Sequence, residues 1–239
     1  MIAEKKLTYE IEQLAALAQI VQAYAEIASS RIKKTRDAVL FARSFLAGLG
    51  EVFEEVRFSY ASQVAGLAKG GKRPMITFLP HNGKTVAVFV SANTRLYGEI
   101  LAATFAQFRA DVKSGSEATI VGKVGFSMFK EVESGSPVTY FDFPDEFVDS
   151  KAFGSLMAHL VPYEAIHVYY GKYLDRGAPK PARFNLSSQI QISEEERAEV
   201  VKYFFEPTLD EVLKFFEKQI FSNLLEQAVK ESQLAKFAS

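Results

Sequence analysis

The chain has 239 residues, 48% of them hydrophobic and 24% charged, with a formal net charge of −1. That is the composition of an ordinary globular protein, with no net field to draw it onto nucleic acid or anionic lipid. It contains no cysteine, which excludes disulfides, thiolate nucleophiles, zinc ribbons and iron–sulfur clusters. The opening "MIAEKKLTYEIEQLAALAQIVQ" lacks the uninterrupted apolar core of a signal peptide, and no later stretch approaches the ~20 apolar residues of a membrane span, so membrane contact is expected only through partners.

From Leu7 the apolar residues recur by alternating fours and threes: Leu7, Ile11, Leu14, Ala18, Val21, Ala25, Ala28, Ile32, Thr35, Val39, Ala42, Leu46, Leu49, Phe53 and Val56. Only Thr35 is polar, and no proline precedes Pro74, so the spacing predicts one long helix carrying a coiled-coil seam. "AKGGKRP" (68–74) ends the pattern. "PMITFLP" and "KTVAVFVSA" flank Asn82-Gly83, a strong hairpin signal. Next come a helix over 97–115, a buried strand over 118–125, a strand over 138–143, a helix over 150–161 and a strand over 165–174. The segment 182–192 returns as its hairpin partner, and a helix follows over 193–206. Thr208 and Glu211 form a capping box that opens a last helix running to the end of the chain, with Leu209, Val212, Leu213, Phe216, Ile220, Leu224 and Ala228 as its stripe.

The expected architecture is α/β: a Rossmann-like three-layer domain (70–206) inserted between a long N-terminal helix (1–66) and a C-terminal helix (207–239), which pair as an antiparallel coiled coil. The helices are unequal. With Phe58 beside Thr208 the pairing runs out near Ile27, leaving Leu7, Ile11, Leu14, Leu17, Ile20 and Tyr24 as a bare stripe and a candidate partner interface. The basic cluster of Arg31, Lys33, Lys34 and Arg36 lies mostly off the seam and adds a second candidate surface for a protein partner. It lacks the interleaved aromatics of a single-strand nucleic-acid site, and no nucleic-acid partner is expected.

Catalytic chemistry is not evident. Gly83-Lys84-Thr85 would need a glycine at position 78 to be a phosphate loop, and that residue is Phe78. "VGKVG" (121–125) has two of the three glycines of a dinucleotide fingerprint and reads instead as a tight strand-to-helix turn. His81, His159 and His167 show no metal-ligand spacing, and no serine sits in a G-x-S-x-G elbow. No catalytic residue, cofactor or metal is expected.

Four stretches in order nevertheless resemble one family. "QIVQAYAEIASSRIKK" (19–34) carries Ile20, Ala23, Ala28, Ser30, Arg31 and Ile32 in register with it, and "VAVFVSANTRLYGEI" (86–100) does so through Ser91, Leu96 and Gly98. "TIVGKVGFSMF" (119–129) and "YFFEPTLDEVLKFFEKQIFSNLLEQAVKES" (203–232) complete the set. The chain resembles, over nearly its whole length, the gamma subunit of F-type ATP synthases. Three differences from that pattern stand in the sequence: an extra residue and no Asp after Ser91, an acidic, glutamine-rich start, and an end at Ser239 where the family's last helix continues. The resemblance implies a non-catalytic central-stalk rotor subunit that couples proton-driven ring rotation to ATP synthesis in partner subunits. It implies as partners the catalytic-head subunits, the membrane rotor ring and the small stalk subunit, and a cytoplasmic location at the inner face of the cell membrane. The alternative is a stand-alone gamma-like module for interaction or oligomerisation, not engaged in torque transmission.

Overall fold

The computed structural model describes residues 2–65, 81–95, 97–174, 178–187 and 208–239. Helix α1 (Ile2–Ala65) is unbroken for 64 residues, about 95 Å at the usual rise, and runs through Gly48 and Gly50. After it come β1 (Thr85–Val90), α2 (Ile100–Lys113), β2 (Glu117–Val121), α3 (Lys123–Val132), β3 (Val138–Phe141), α4 (Ser150–Leu160), β4 (Ala165–Lys172), β5 (Lys180–Asn185) and α5 (Leu209–Ala238).

The sheet order is β3-β2-β1-β4-β5. The first four strands are parallel, and β5 returns antiparallel on β4 as the expected hairpin partner. Strand β1 is central and buried on both faces, as its continuous apolar run requires. Val86, Val88 and Val90 face a core completed by Leu156 and Leu160 of α4 and by Phe221, Leu225 and Val229 of α5. Ala87 and Phe89 face Phe105 and Phe108 of α2 and Phe129 of α3. Each of these valine, leucine and phenylalanine side chains, fully buried, contributes roughly 1.5–3 kcal/mol relative to exposure. The layers are therefore α2 and α3, the sheet, then α4 and α5, with α1 outside α5.

Two sequence expectations are corrected here. Both edges of β1 are taken by β2 and β4, so no hairpin crosses Asn82-Gly83; residues 74–80 lie outside the described residues. The dipeptide instead makes a turn into β1, with Gly83 at φ +71° and the Asn82 side chain accepting from Lys84 N at 2.9 Å. The strand expected over 118–125 stops at Val121, because Gly122 (φ +98°) turns the chain directly into α3; the tight strand-to-helix turn expected at "VGKVG" is present, and it opens a helix to which the sequence assigned no range. The helix expected over 193–206 lies outside the described residues.

Helix α5 starts as anticipated, with the Thr208 hydroxyl accepting from Glu211 N at 3.3 Å. It runs antiparallel along α1. Phe53 and Val56 meet Leu213, Phe216 and Ile220 near its start, and Arg31 lies over the Phe237 ring near its end.

Candidate partner-binding surface

Burial along α1 follows the heptad seam. Ala28, Ile32, Thr35, Val39, Ala42, Leu46, Leu49, Phe53 and Val56 are all partly or fully covered, at alternating steps of four and three. From Ile27 back to Lys6 every residue is exposed, although the same spacing continues unchanged. Phe53 retains 4% of its accessible surface, whereas Leu14 retains 64% and Tyr24 70%. The difference is the partner helix: α5 ends at Ala238, level with the start of the covered seam. Leu7, Ile11 and Leu14 lie in the bare continuation of the seam, and Leu17, Ile20 and Tyr24 widen it into a broad apolar face.

The basic cluster divides. Arg31 is turned back on its own chain, with its guanidinium 2.8 Å from Glu146 and stacked over Phe237 at 5.7 Å. Lys33, Lys34 and Arg36 remain on the exposed side of α1. A second set of exposed apolar residues, Phe41, Phe45 and Val52, lies on the paired part of α1. The sequence reading missed it, although its spacing of four and seven could have shown it.

In open parallel sheets, ligands bind outside the carboxyl ends of the strands, where the strand order reverses. Here that point lies between β1 and β4, and the chain's own last helix fills it. Ser232 donates to Val90 O at 3.4 Å, and the Lys236 ammonium donates to Ser91 O at 2.8 Å and pairs with Asp145 at 3.1 Å. Gly171 of β4 lies against Ile100 and Ala235, with no room for a Cβ beside the Ile100 side chain. Asp145 is further held by Asn93 N, at 3.0 and 2.9 Å to its two oxygens, and by the Tyr97 hydroxyl at 3.4 Å. Burial pushes the Lys236 pKa down while the Asp145 carboxylate opposes that shift. One turn earlier Glu231, also buried, accepts from Arg43 of α1, from the Tyr170 phenol of β4 at 3.2 Å and from Gln227 at 2.9 Å. Burial first, and the Glu231 charge second, push the Tyr170 phenol upward.

Glycine accounts for the neighbouring motif without invoking a nucleotide. A Cβ on Gly122 would come within 2.8 Å of the Ala92 backbone, and one on Gly125 within 2.6 Å of Ser91 Cβ. The two glycines let α3 close onto the turn after β1, where Val124 N donates to Ala92 O at 2.8 Å and Lys123 N to the Asn93 side chain at 2.9 Å. Lys84 of the Gly-Lys-Thr sequence pairs with Glu117 at 2.7 Å. His159 bonds Thr119 at 2.9 Å, His167 bonds Asp111 at 2.7 Å, and His81 lies 3.1 Å from Tyr163 O. Among the described residues no three His, Asp or Glu are grouped to hold a metal ion, and no helix is long and apolar enough to cross a membrane.

A central α/β domain is thus bracketed by two terminal helices paired antiparallel, the organisation of a stalk-bearing protein, with the last helix filling the crevice at the carboxyl ends of the strands. The family model described as ATP synthase matches residues 4–239, and the chain belongs to this family, that of the ATP synthase gamma subunits. No curated protein matches it. Among solved structures it is similar to a chain of the central stalk and c-ring of the Tetrahymena thermophila mitochondrial ATP synthase, with 15% identity, 92% of this chain and 95% of that one covered, and a TM-score of 0.62. It also matches a chain of the Euglena gracilis mitochondrial ATP synthase rotor in rotational state 1, with 14% identity, 87% of each chain covered and a TM-score of 0.47. A third match is a chain of the Euglena gracilis OSCP/F1/c-ring structure in rotational state 3, with 14% identity, 87% and 79% covered, and a TM-score of 0.46.

Proposed function

We propose that this chain is the non-catalytic central-stalk subunit of a proton-translocating F-type ATP synthase, carrying the rotation of a membrane ring into the catalytic head, where partner subunits make ATP. The observation that carries this reading is the family match over 4–239 on a chain whose two terminal helices form an antiparallel stalk. No bond chemistry falls to this subunit. Its coiled-coil seam supplies stiffness, and the exposed face of Leu7, Ile11, Leu14, Leu17, Ile20 and Tyr24 meets head subunits, with Lys33, Lys34 and Arg36 beside it for acidic groups. The α/β domain and the base of the stalk meet the ring and the small stalk subunit. The chain is held at the inner, cytoplasmic face of the cell membrane through those partners.

The test is affinity capture of the full chain from its own membranes, with mass spectrometry of what is retained. Head and ring subunits in fixed stoichiometry support the rotor reading. Recovery of the chain alone, or only with itself, overturns it in favour of a stand-alone gamma-like module, the reading to which the bare stripe of α1 would then belong.

A further inference from the structure

We propose that, outside its assembly, the chain forms an antiparallel dimer with a second copy of itself through residues 7–25 of α1, so that each copy covers the other's bare stripe.

The first argument is continuity. The exposed stripe is the same seam, in the same heptad register, that α5 covers from Ala28 onward, so the surface presented is a helix-pairing surface already in use one turn away. A helix laid antiparallel to α1 on this stripe runs in the direction of α5 and takes up its line where α5 ends. The partner's α1 then points its N-terminal end at the C-terminal end of α5, and the two macrodipoles align head to tail.

The second argument is self-complementarity, which an interface between identical surfaces about a two-fold axis requires. With the axis midway between Leu14 and Ala18, the core layers pair Leu7 with Ala25, Ile11 with Val21, and Leu14 with Ala18 of the other copy. Two layers set a large side chain against an alanine and the third sets two β-branched residues together, so no layer sets two leucines or two alanines face to face. Large residues occupy one half of the stripe and smaller ones the other; that asymmetry suits an antiparallel copy, while a parallel copy would stack large on large and leave gaps between the alanines. The flanks carry no like-charge conflict. Glu10 faces the Tyr24 phenol of the other copy, Leu17 faces its own equivalent, and Thr8 faces Gln22, while Glu12 and Glu26 lie on the outer side of the helix.

The inference concerns the same stripe as the proposed partner contact but does not depend on it: the same residues cannot serve both at once, so the dimer is a state of the unassembled chain. Light scattering on the purified full chain at about 50 µM should give twice the 26.6 kDa of one chain. Leu14→Glu, at a site exposed in the single chain, should leave the helical circular dichroism unchanged and return the mass to one chain, whereas Phe45→Glu should leave the dimer intact. Because the chain has no cysteine, Leu7→Cys and Ala25→Cys can be introduced separately. Under oxidation the mixture should cross-link strongly and each variant alone only weakly. A monomer at that concentration overturns the proposal, as does a dimer indifferent to Leu14→Glu or a Leu7→Cys variant that cross-links efficiently with itself. A monomer that still captures head and ring subunits fails only this inference; a dimer that captures none fails only the rotor reading.

Discussion

Glu117 opens β2 at the amino edge of the sheet, where it accepts from Lys84 at 2.7 Å and from the Tyr163 phenol at 2.6 Å. The Lys84 ammonium first, and the Tyr163 hydroxyl second, hold its carboxyl below the usual carboxylate range, and burial followed by the hydrogen bond to Glu117 pushes Tyr163 up to about 12. The signs are opposite on the two flanks of pH. A carboxyl depressed in the folded state contributes stability that is complete above its unfolded value and is lost as pH falls through the folded one; a phenol raised in the folded state contributes stability that is complete below about 10 and is lost as pH climbs toward 12. Urea midpoints followed across pH should therefore fall at both ends, with Glu117→Gln reducing the acid fall and Tyr163→Phe reducing the alkaline one. An unchanged acid limb in Glu117→Gln would count against the pairing. None of this was legible in the sequence, nor were Asp145 with Lys236 or Arg43 with Glu231, since partners 91 and 188 residues apart are chosen by where the elements pack.

Residue type and spacing are enough to specify a heptad seam, and this explains why α1 could be read almost completely, down to the point where its partner helix stops. The same rule misled for shorter elements. Helix α3 has ten residues and two glycines at or near its start, so its brief amphipathic pattern is hidden behind a strand-like entry. The spacing in α5 predicts a single stripe, but Phe221, Leu225 and Val229 give it a second apolar face on the sheet. By its end the helix is buried on all sides from Glu231 to Lys236, between α1, the sheet and the loop carrying Pro144 and Asp145. The two parts of the α1 seam should respond very differently to truncation. Phe53→Ala removes a ring packed 6.2 Å from Phe216 and should cost about 3–5 kcal/mol in urea unfolding. Leu14→Ala, in the chain without partners and at concentrations too low for self-association, should cost only a few tenths of a kcal/mol. Equal costs would mean that the N-terminal arm is already covered in the isolated chain.

At the scale of the whole molecule, α5 belongs to two bodies at once, stalk and sheet, and Glu231 ties both to it through Arg43 of α1 and Tyr170 of β4. The core and the paired stalk should therefore open together. In amide hydrogen exchange of the dilute chain, residues 221–236 should be protected to the same degree as β1 and β4, while residues 6–27 of α1, a lone helix with no tertiary packing, should exchange far faster. Slow exchange across 6–27 would contradict the arm's exposure. The arm also has a mechanical consequence. Elements joined end to end carry the same torque, and the most compliant of them takes most of the twist. From residue 28 toward the C-terminal end of α1 a load passes through two packed helices riveted to a sheet; on the N-terminal side of that residue it passes through about 33 Å of one helix held by its own backbone bonds alone. Torsion applied across this chain would be stored mainly in that single-helix span, and clamping a second helix along it would turn a spring into a shaft.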